Sequence, residues 1–438
     1  MFSFLWDFFV SVGAILALPR FFYRFRKNPA LPRALKQKLG FGFPSLSAEG
    51  PVVWVHAVSV GEVKAVSALA SRLKEEVPGC TLLVTTITLT GNDEAKKSIP
   101  QADHILFLPF DISFIMKRVL KKIRPSLLVI TETDFWFHLV NEAKKGGAQV
   151  ALVNGKISER SARRFKRFPF ISHRLFSTID QFLLQSEDYE ERFLALGVPK
   201  EKISITGNLK LDTKIKPLSE SEKEMLRSRL GVTQSVKTVV FASTHPGEEE
   251  LAINLAKELD EKEQAKIVIV PRHPERFVQV AGALRLAGLS FTQISKESAG
   301  PSTAVVLVDQ MGLLGSIYQI TDIAVVCGSF TPIGGHNIIE PMPFNVPVLF
   351  GPHMFKQPEF TLLAQKYRAG LMIKIEELSK SVRELLANDQ KREELGRAGV
   401  RLVLDNQGAS AKTWQQLLPL LHLGGEVRDF VRPTKSTL

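Results

Sequence analysis

Short, continuous runs of apolar residues recur along the first half of the chain, separated by segments with helical patterning. The apolar runs are 52–58, 81–87, 105–109, 127–130, 150–153 and 182–184. The segments 62–75 and 189–196 follow helical patterns, and the second ends at Gly197, a residue suited to a helix C-cap. Uninterrupted apolar strands are typical of parallel sheets covered on both faces. The pattern therefore predicts strand–helix repeats around a buried parallel sheet.

The same alternation begins again after a polar stretch at 213–223 that contains Pro217 and is predicted to be a linker. Further apolar runs follow at 238–242, 266–270, 305–308, 323–326 and 346–350. Two consecutive strand–helix series of this kind predict an α/β protein with two doubly wound, Rossmann-like domains that face a cleft. We place these domains at 23–212 and 224–406, followed by a C-terminal helix and tail at 407–438.

The first 18 residues are almost wholly apolar, with Asp7 as their only charge, and a basic cluster follows at Arg20, Arg24, Arg26 and Lys27. A helix of this length is roughly 27 Å long, near the short limit for crossing a bilayer. We predict a membrane anchor helix at 1–22, either spanning the membrane or lying in its interface. Because the basic cluster follows the apolar run, the domains are expected on the cytoplasmic side.

The 438-residue chain carries a net charge of +12, which suits an anionic partner. It has no zinc-finger spacing and no aromatic-basic motif of the kind that binds RNA, so nucleic acid is not the expected partner. The run 160–167 contains four Arg and one Lys and is a candidate surface for phosphates, or else a solvated helix. Cys80 and Cys327 lie in separate apolar runs, which indicates free buried thiols in a reducing compartment.

Charged residues follow several predicted strands of the first domain, at the edge where parallel sheets bind their ligands. Glu62 comes after Gly61 at the start of a predicted helix, where an acid also favours the helix dipole. Glu132 and Asp134 end another strand and could form a metal site or simply cap a turn. Lys210 lies just past a further strand, placed to meet a phosphate or to remain solvated.

The second domain has a comparable set. Arg272 follows a predicted strand directly, and Gly312 permits close backbone approach after another. The glycine pair at 334–335 is predicted to lead into a helix N-terminus, which would bind an anion through free N–H groups and the helix dipole. Glu340 would then lie one turn into that helix, where it could accept hydrogen bonds from a ribose or serve only as a helix-terminal charge.

Five motifs occur in a fixed order along the chain. They are His-Ala-Val-Ser-Val-Gly-Glu at 56–62, Glu-Thr-Asp-Phe-Trp at 132–136, Gly-Asn-Leu-Lys at 207–210, Pro-Arg-His-Pro-Glu-Arg at 271–276 and Gly-Gly-His-Asn-x-x-Glu at 334–340. Together they resemble the 3-deoxy-D-manno-octulosonic acid (Kdo) transferases. The resemblance extends from the N-terminal apolar helix to Asn-Gln-Gly at 406–408.

The resemblance implies an inverting glycosyltransferase of the GT-B type, with an acceptor-binding N-terminal domain and a CMP-sugar-binding C-terminal domain. It implies transfer of Kdo from CMP-Kdo to a phosphorylated lipid A precursor in lipopolysaccharide core biosynthesis, at the bacterial inner membrane. Glu62 matches the general base of the family, and Glu132 and Lys210 match residues that stabilise the transition state. The positions that match CMP contacts are Pro271, Arg272, Met311, Gly312, Leu313, Asn337, Ile338, Ile339 and Glu340. Neither a metal nor another cofactor is expected.

Two other functions are consistent with the pattern. Another GT-B sugar-nucleotide enzyme, such as a UDP-sugar transferase or a 2-epimerase, would share the architecture. A non-catalytic, basic membrane-surface protein with decayed nucleotide loops would share the charge and the apolar N-terminus. The complete set of charged groups at strand ends argues against a decayed site.

Overall fold

The computed structural model describes residues 2–25, 30–46, 50–212, 216–233, 236–259, 265–300 and 303–421. The chain divides into two units: the first comprises residues 1–213 and 407–438, and the second comprises residues 214–406. Each unit is built around a seven-stranded sheet, in which all strand pairs are parallel.

The strands of the first unit are β1 (Val52–His56), β2 (Thr81–Thr86), β3 (His104–Phe107), β4 (Leu127–Thr131), β5 (Gln149–Gly155), β6 (Gln181–Leu184) and β7 (Ile203–Ile205). Their order is β3-β2-β1-β4-β5-β6-β7, so the chain reverses its direction of winding between β1 and β4. In sheets of this topology, ligands bind at the carboxyl ends of the strands beside that reversal. β1 supplies Trp54 to the core on one face and Val53 and Val55 to the core on the other. Both faces are therefore covered.

The helices that cover this sheet connect successive strands or precede them. They are α1 (Phe2–Phe25), α2 (Leu31–Lys38), α3 (Val60–Glu76), α4 (Leu89–Ser98), α5 (Ser113–Ile123), α6 (Phe137–Lys145), α7 (Glu159–Arg167), α8 (Pro169–Phe176) and α9 (Glu187–Leu194). α3 begins directly after β1, so its first turn stands at the carboxyl end of that strand.

The strands of the second unit are β8 (Lys237–Thr244), β9 (Ala265–Pro271), β10 (Phe291–Gln293), β11 (Val305–Leu307), β12 (Ile323–Val326), β13 (Val348–Phe350) and β14 (Leu371–Met372), in the order β10-β11-β9-β8-β12-β13-β14. Its helices are α10 (Glu220–Leu230), α11 (Glu249–Glu258), α12 (Phe277–Leu286), α13 (Leu314–Ile317), α14 (Pro358–Tyr367), α15 (Leu378–Ala387) and α16 (Asp389–Asn406). α10 starts with a capping box formed by Ser219 and Glu222, within the stretch that the sequence predicts as a linker.

The prediction of an α/β protein with two parallel, Rossmann-like sheets is confirmed. Eleven of the 14 strands found in the described ranges coincide with predicted apolar runs. The three that do not are β7, β10 and β14, which have two or three residues each and lie at sheet edges. Such short segments carry no periodicity to detect, and a half-exposed edge needs less apolar sequence than a buried central strand.

A last helix, α17 (Ala409–Leu417), returns to the first unit after the second unit is complete. Trp414 is buried, and its indole N–H donates a 2.7 Å hydrogen bond to Glu76 at the end of α3. The carboxylate of Asp212 accepts hydrogen bonds of 2.8 and 2.5 Å from the backbone N–H groups of Gly408 and Ser410. The first unit is therefore completed by the C-terminal part of the chain.

The N-terminal helix α1 docks on the first unit through one face. The indole N–H of Trp6 donates a 2.7 Å hydrogen bond to Asp111, and the carboxylate of Asp7 accepts hydrogen bonds of 2.8 and 2.6 Å from the backbone N–H and hydroxyl of Ser113. The Nε2 atom of His138 lies 2.9 Å from the same carboxylate. The opposite face of α1 is exposed. Among the residues that the structure describes, no helix is both long and apolar enough to cross a membrane.

We expect Trp414→Ala to destabilise the first unit by about 3–5 kcal/mol, because it leaves a cavity in the core and removes one hydrogen bond of Glu76. Trp414→Phe keeps most of the ring but loses the hydrogen bond, so its cost should be smaller, about 1.5–3 kcal/mol. Urea unfolding followed by circular dichroism measures both. A loss below about 1 kcal/mol for the alanine variant would show that α17 does not stabilise the unit.

Candidate active site

The carboxylate of Glu62 is fixed at the carboxyl end of β1. Its Oε2 atom accepts 2.8 Å hydrogen bonds from the backbone N–H of Val58 and from the hydroxyl of Thr131, and its Oε1 atom accepts one of 2.8 Å from the hydroxyl of Ser59. The side chain comes from the first turn of α3, where the helix dipole favours a negative charge. Three donors from two segments, the β1–α3 connection and the end of β4, therefore hold this carboxylate in one orientation.

Glu132 follows β4 and pairs with two lysines. The Lys156 ammonium lies 2.8 Å from its Oε2 atom, and the Lys210 ammonium lies 2.7 Å from its Oε1 atom. Burial favours the neutral acid, but the two ammonium groups outweigh burial, so the pKa of Glu132 lies below its ordinary value. This trio carries one more positive than negative charge.

The backbone at Glu132 is unusual because its φ of 54° lies in the left-handed region, which residues other than glycine seldom occupy. Asn154, whose side-chain amide approaches Glu132 at 3.4 Å, has a φ of 51°. Strained residues of this kind concentrate at functional sites, since only a well-packed surrounding structure maintains them. Two of them in contact make the ends of β4 and β5 a candidate functional region.

Lys156 is a site residue that the sequence analysis missed. It directly follows β5, just as Glu132 directly follows β4. The position at a strand end was an available signal, but Lys156 belongs to none of the five motifs.

Asp134 lies within hydrogen-bonding reach of Glu62 and forms a pair of carboxyl groups with it. Burial is the largest cause of a raised pKa at Asp134, and the neighbouring Glu62 is the next. Together they raise the pKa of Asp134 to about 9. Asp134 is therefore protonated at neutral pH, and its proton can be shared with Glu62. The site thus combines a fixed carboxylate, a carboxylic acid and a cationic cluster, which together can accept a proton and bind an anion.

In the second unit, the predicted residues also follow strand ends. Pro271 ends β9 and Arg272 follows it, with a backbone N–H that donates to Thr244 at 3.1 Å. Within the described ranges, the guanidinium of Arg272 makes no hydrogen bond or ion pair, so it is uncommitted. Arg276, by contrast, is paired with Glu249 at 3.0 Å.

Met311, Gly312 and Leu313 form the turn between β11 and α13. Gly312 has a φ of 87°, so this turn requires a residue without a side chain, and Met311 is exposed. Leu313 precedes the first residue of α13. The structure thus places all three beyond the carboxyl end of a strand, as the sequence predicts.

The prediction of a helix N-terminus after the glycine pair is wrong. In the described range 303–421, residues 334–340 form a loop and turn, followed only by a short 3-10 helix at Met342–Phe344. The side-chain carbonyl of Asn337 accepts a 3.0 Å hydrogen bond from the N–H of Ile339, which competes with helical pairing. Pro341 lacks an N–H and disfavours a helical conformation at Glu340.

Glu340 therefore lies in a turn, and not one turn into a helix as predicted. It remains near the buried hydroxyl of Tyr318. Burial and the Glu340 carboxylate together raise the pKa of that hydroxyl well above its ordinary value. Ile338 and Ile339 are buried and support the loop through apolar packing.

Comparisons with known proteins show the family to which the chain belongs. A family model described as 3-deoxy-D-manno-octulosonic-acid transferase (kdotransferase) matches residues 33–213. The 3-deoxy-D-manno-octulosonic acid transferase of Chlamydophila psittaci is 34% identical over 416 residues, which cover 94% of this chain and 95% of that protein. The protein of the same name from Haemophilus influenzae is 32% identical over 408 residues, covering 90% and 93%.

Among solved structures, the UDP-GlcNAc 2-epimerase of Neisseria meningitidis bound to UDP-GlcNAc superposes with a TM-score of 0.60. The superposition covers 84% of this chain and 100% of the epimerase chain at 14% sequence identity, so the likeness shows the fold alone. The two Rossmann-like parallel sheets form a GT-B-like fold, and the similarity to these transferases makes the chain a glycosyltransferase. The chain belongs to the 3-deoxy-D-manno-octulosonic acid (Kdo) transferase family, as the motifs predict.

The proton held by Asp134 has a consequence for stability. The folded carboxyl keeps its proton up to about pH 9, whereas an unfolded aspartate loses it near pH 4. Asp134 therefore contributes stability at acid pH that is lost as pH rises toward 9. Asp134→Asn has no proton to lose, so we expect its unfolding temperature to fall less steeply between about pH 5 and pH 8.5.

Calorimetric scans across this pH range measure the difference. Asp93→Asn, at an exposed position on α4, is the matched control and should keep the wild-type dependence. If the unfolding temperatures of wild type and Asp134→Asn changed with pH in the same way, this would contradict the conclusion that Asp134 holds a proton beside Glu62.

Proposed function

We propose that this Kdo transferase takes Kdo from CMP-Kdo and attaches it, with inversion of the anomeric centre, to a phosphorylated lipid A precursor in lipopolysaccharide biosynthesis. The observation that carries the proposal is the Glu62 carboxylate, held by three donors at the carboxyl end of β1. The Glu132–Lys156–Lys210 trio in the same unit supports it.

In this proposal Glu62 is the general base. A sugar hydroxyl is a poor nucleophile at neutral pH, and a positioned base that removes its proton during attack contributes about 10²–10⁴-fold in rate. Asp134, protonated beside Glu62, keeps the pair from carrying two negative charges. Direct attack of the acceptor oxygen on the anomeric carbon, without a covalent enzyme intermediate, gives inversion.

Glu132 acts in the proposal through the lysines that it positions. Lys210 is mostly buried. Its ammonium group stabilises a substrate anion, such as the Kdo carboxylate or a phosphate, in the transition state. Because each carboxylate oxygen of Glu132 already meets an ammonium group, we propose that Glu132 and Asp134 do not serve as metal ligands and that no cofactor takes part.

The second unit is the proposed site of the nucleotide. The uncommitted guanidinium of Arg272 suits the phosphate, since charged hydrogen bonds are the stronger ones. Pro271, the turn Met311–Gly312–Leu313 and the loop from Asn337 through Ile338 and Ile339 to Glu340 supply further groups for cytidine and ribose.

The N-terminal helix is the proposed membrane contact. Its exposed face includes Phe4, Phe8, Phe9 and Leu16, and Phe4 and Leu16 are each 74% exposed. α7 presents exposed Arg and Lys residues, and its Phe165 packs against the same core as Trp6. An apolar helix face combined with a basic surface is typical of proteins bound to anionic membrane interfaces. We therefore propose attachment to the cytoplasmic face of a bacterial inner membrane.

Glu62→Gln should lose about 10²-fold or more of kcat and keep CMP binding, because the amide preserves the shape of the side chain but cannot accept the proton. The rate is measured by mass spectrometry of the lipid product with CMP-Kdo as donor. Glu75→Gln, at an exposed position of the same helix, is the matched control. The assay is run with and without excess EDTA, and we expect no difference. A near-normal kcat for Glu62→Gln would remove Glu62 from this role.

The double variant Phe8→Ser and Phe9→Ser should bind anionic vesicles at least about 10²-fold more weakly at high salt, because each buried Phe contributes roughly 1.5–3 kcal/mol. Flotation with phosphatidylglycerol vesicles measures the bound fraction. Leu286→Ser, at a position 93% exposed on α12, is the control and should bind like wild type. Equal binding of the double variant would show that α1 does not insert.

A further inference from the structure

Two histidines of the second unit share a hydrogen bond. The Nε2 atoms of His245, which directly follows β8, and His336, in the loop after β12, lie 2.8 Å apart. The two rings are nearly parallel, with an angle of 10° and centroids separated by 5.0 Å. At this distance one Nε2 must carry a proton and the other must accept it. The pair therefore holds one proton between the two Nε2 atoms.

The local backbone is shaped to allow this contact. Gly328 has a φ of 69°, and a Cβ atom at this position would lie 2.7 Å from the His336 ring. The buried carboxylate of Glu248 accepts hydrogen bonds from the backbone N–H groups of Gly328, Phe330 and His245, at 2.7, 3.0 and 3.1 Å. One carboxylate thus ties together the two segments that carry the imidazoles.

Most charged groups around the pair are cationic. The titratable groups on the neighbouring segments are Glu248 and Glu249 on the β8–α11 segment, Arg272, His273 and Arg276 after β9, Cys327 after β12, and His353 and Lys356 after β13. Glu248 is committed to backbone N–H groups, and Glu249 is committed to Arg276. A surplus of positive charge therefore faces the two imidazoles.

Both imidazoles are consequently hard to protonate. Burial is the main cause, and the nearby cations add to it, so the pKa of His245 is lowered to about 4 and that of His336 to about 3. An anion bound among Arg272, Lys356 and the pair would reverse the sign of the local field. A second proton on the pair would then be favourable.

We propose that His245 and His336 form a phosphate subsite that takes up one proton when a phosphate monoester dianion binds, and that they thereby offset the charge of the departing nucleotide. The proposal rests on the proposed function, in which CMP is the leaving group. It adds two residues that none of the predicted nucleotide contacts includes.

The charge balance of the reaction gives the reason. In CMP-Kdo the phosphate is a diester with one negative charge. When the acceptor oxygen bonds to the anomeric carbon, the carbon–oxygen bond to phosphate breaks, and its electron pair stays on the phosphate oxygen. The acceptor proton goes to Glu62, and CMP becomes a dianion. A proton from solvent then binds the histidine pair, so the added negative charge is neutralised where it forms.

Calorimetric titration of the full chain tests the proposal. CMP, inorganic phosphate and cytidine are each titrated at about pH 8. At this pH the CMP monoester is fully dianionic because its second pKa is about 6, and inorganic phosphate is mostly dianionic, so its own proton release is subtracted. Repeating each titration in two buffers of different ionisation enthalpy gives the number of protons exchanged. We expect net proton uptake, up to one proton, with CMP and with phosphate, and none with cytidine.

His245→Gln and His336→Gln should each abolish the proton uptake and weaken CMP binding about ten-fold or more, the value of a charged hydrogen bond. Cytidine binding should be unchanged, which also shows that the loop remains folded. His173→Gln, at an exposed position on α8, is the control and should behave as wild type.

The possible results separate this proposal from the proposed function. CMP binding without proton uptake, or with uptake that survives in both variants, would overturn the role of the pair and leave CMP as the nucleotide. Proton-linked binding of phosphate without binding of CMP would support the subsite and overturn the nucleotide assignment. No binding of either CMP or phosphate would overturn both.

Discussion

The parallel pairing of β1 with β4 is the constraint on which the candidate active site depends. Its register sets His56 beside Ile130, so the residues that follow the two strands emerge together at one edge of the sheet. Thr131 can then donate to Glu62, although 69 residues separate them in sequence. The same edge carries Glu132 from β4 and Lys156 from the next strand, β5. A one-residue slip of β4 would turn Thr131 to the opposite face of the sheet, away from Glu62.

The acids at this edge have different surroundings, and the protonation states of Glu132 and Asp134 differ accordingly. Glu132 meets two ammonium groups and is ionised, whereas Asp134 meets Glu62 and retains its proton. Like charges placed so close cannot both be stable in a poorly solvated site. Carboxyl groups whose pKa values are pushed apart in this way commonly divide acid and base roles between them. The arrangement therefore gives the proposed base a neutral partner and leaves positive charge for a substrate anion.

Much of the fold could be predicted because its central strands are buried on both faces and therefore read as continuous apolar runs. The edge strands β10 and β14 escaped prediction since they are short and less buried, whereas β7 is anticipated only as the strand that precedes Lys210. In the site, Glu132 and Lys210 belong to separate motifs, and the structure joins them in an ion pair. The contacts of Lys156 with Glu132, of Asp134 with Glu62 and of His245 with His336 were not predicted, because each depends on how separate segments pack. The helix expected after Gly335 does not form, since Asn337 and Pro341 favour a turn.

The central claim is that this family member transfers Kdo by direct displacement, with Glu62 receiving the acceptor proton. The most direct measurement is the structure of the lipid formed from CMP-Kdo and a lipid A precursor, determined by mass spectrometry and by NMR of the anomeric centre. The account predicts a lipid that has gained Kdo, with an anomeric configuration opposite to that of the donor. A product with retained configuration would contradict direct displacement, and a lipid of unchanged mass would contradict the proposed substrates.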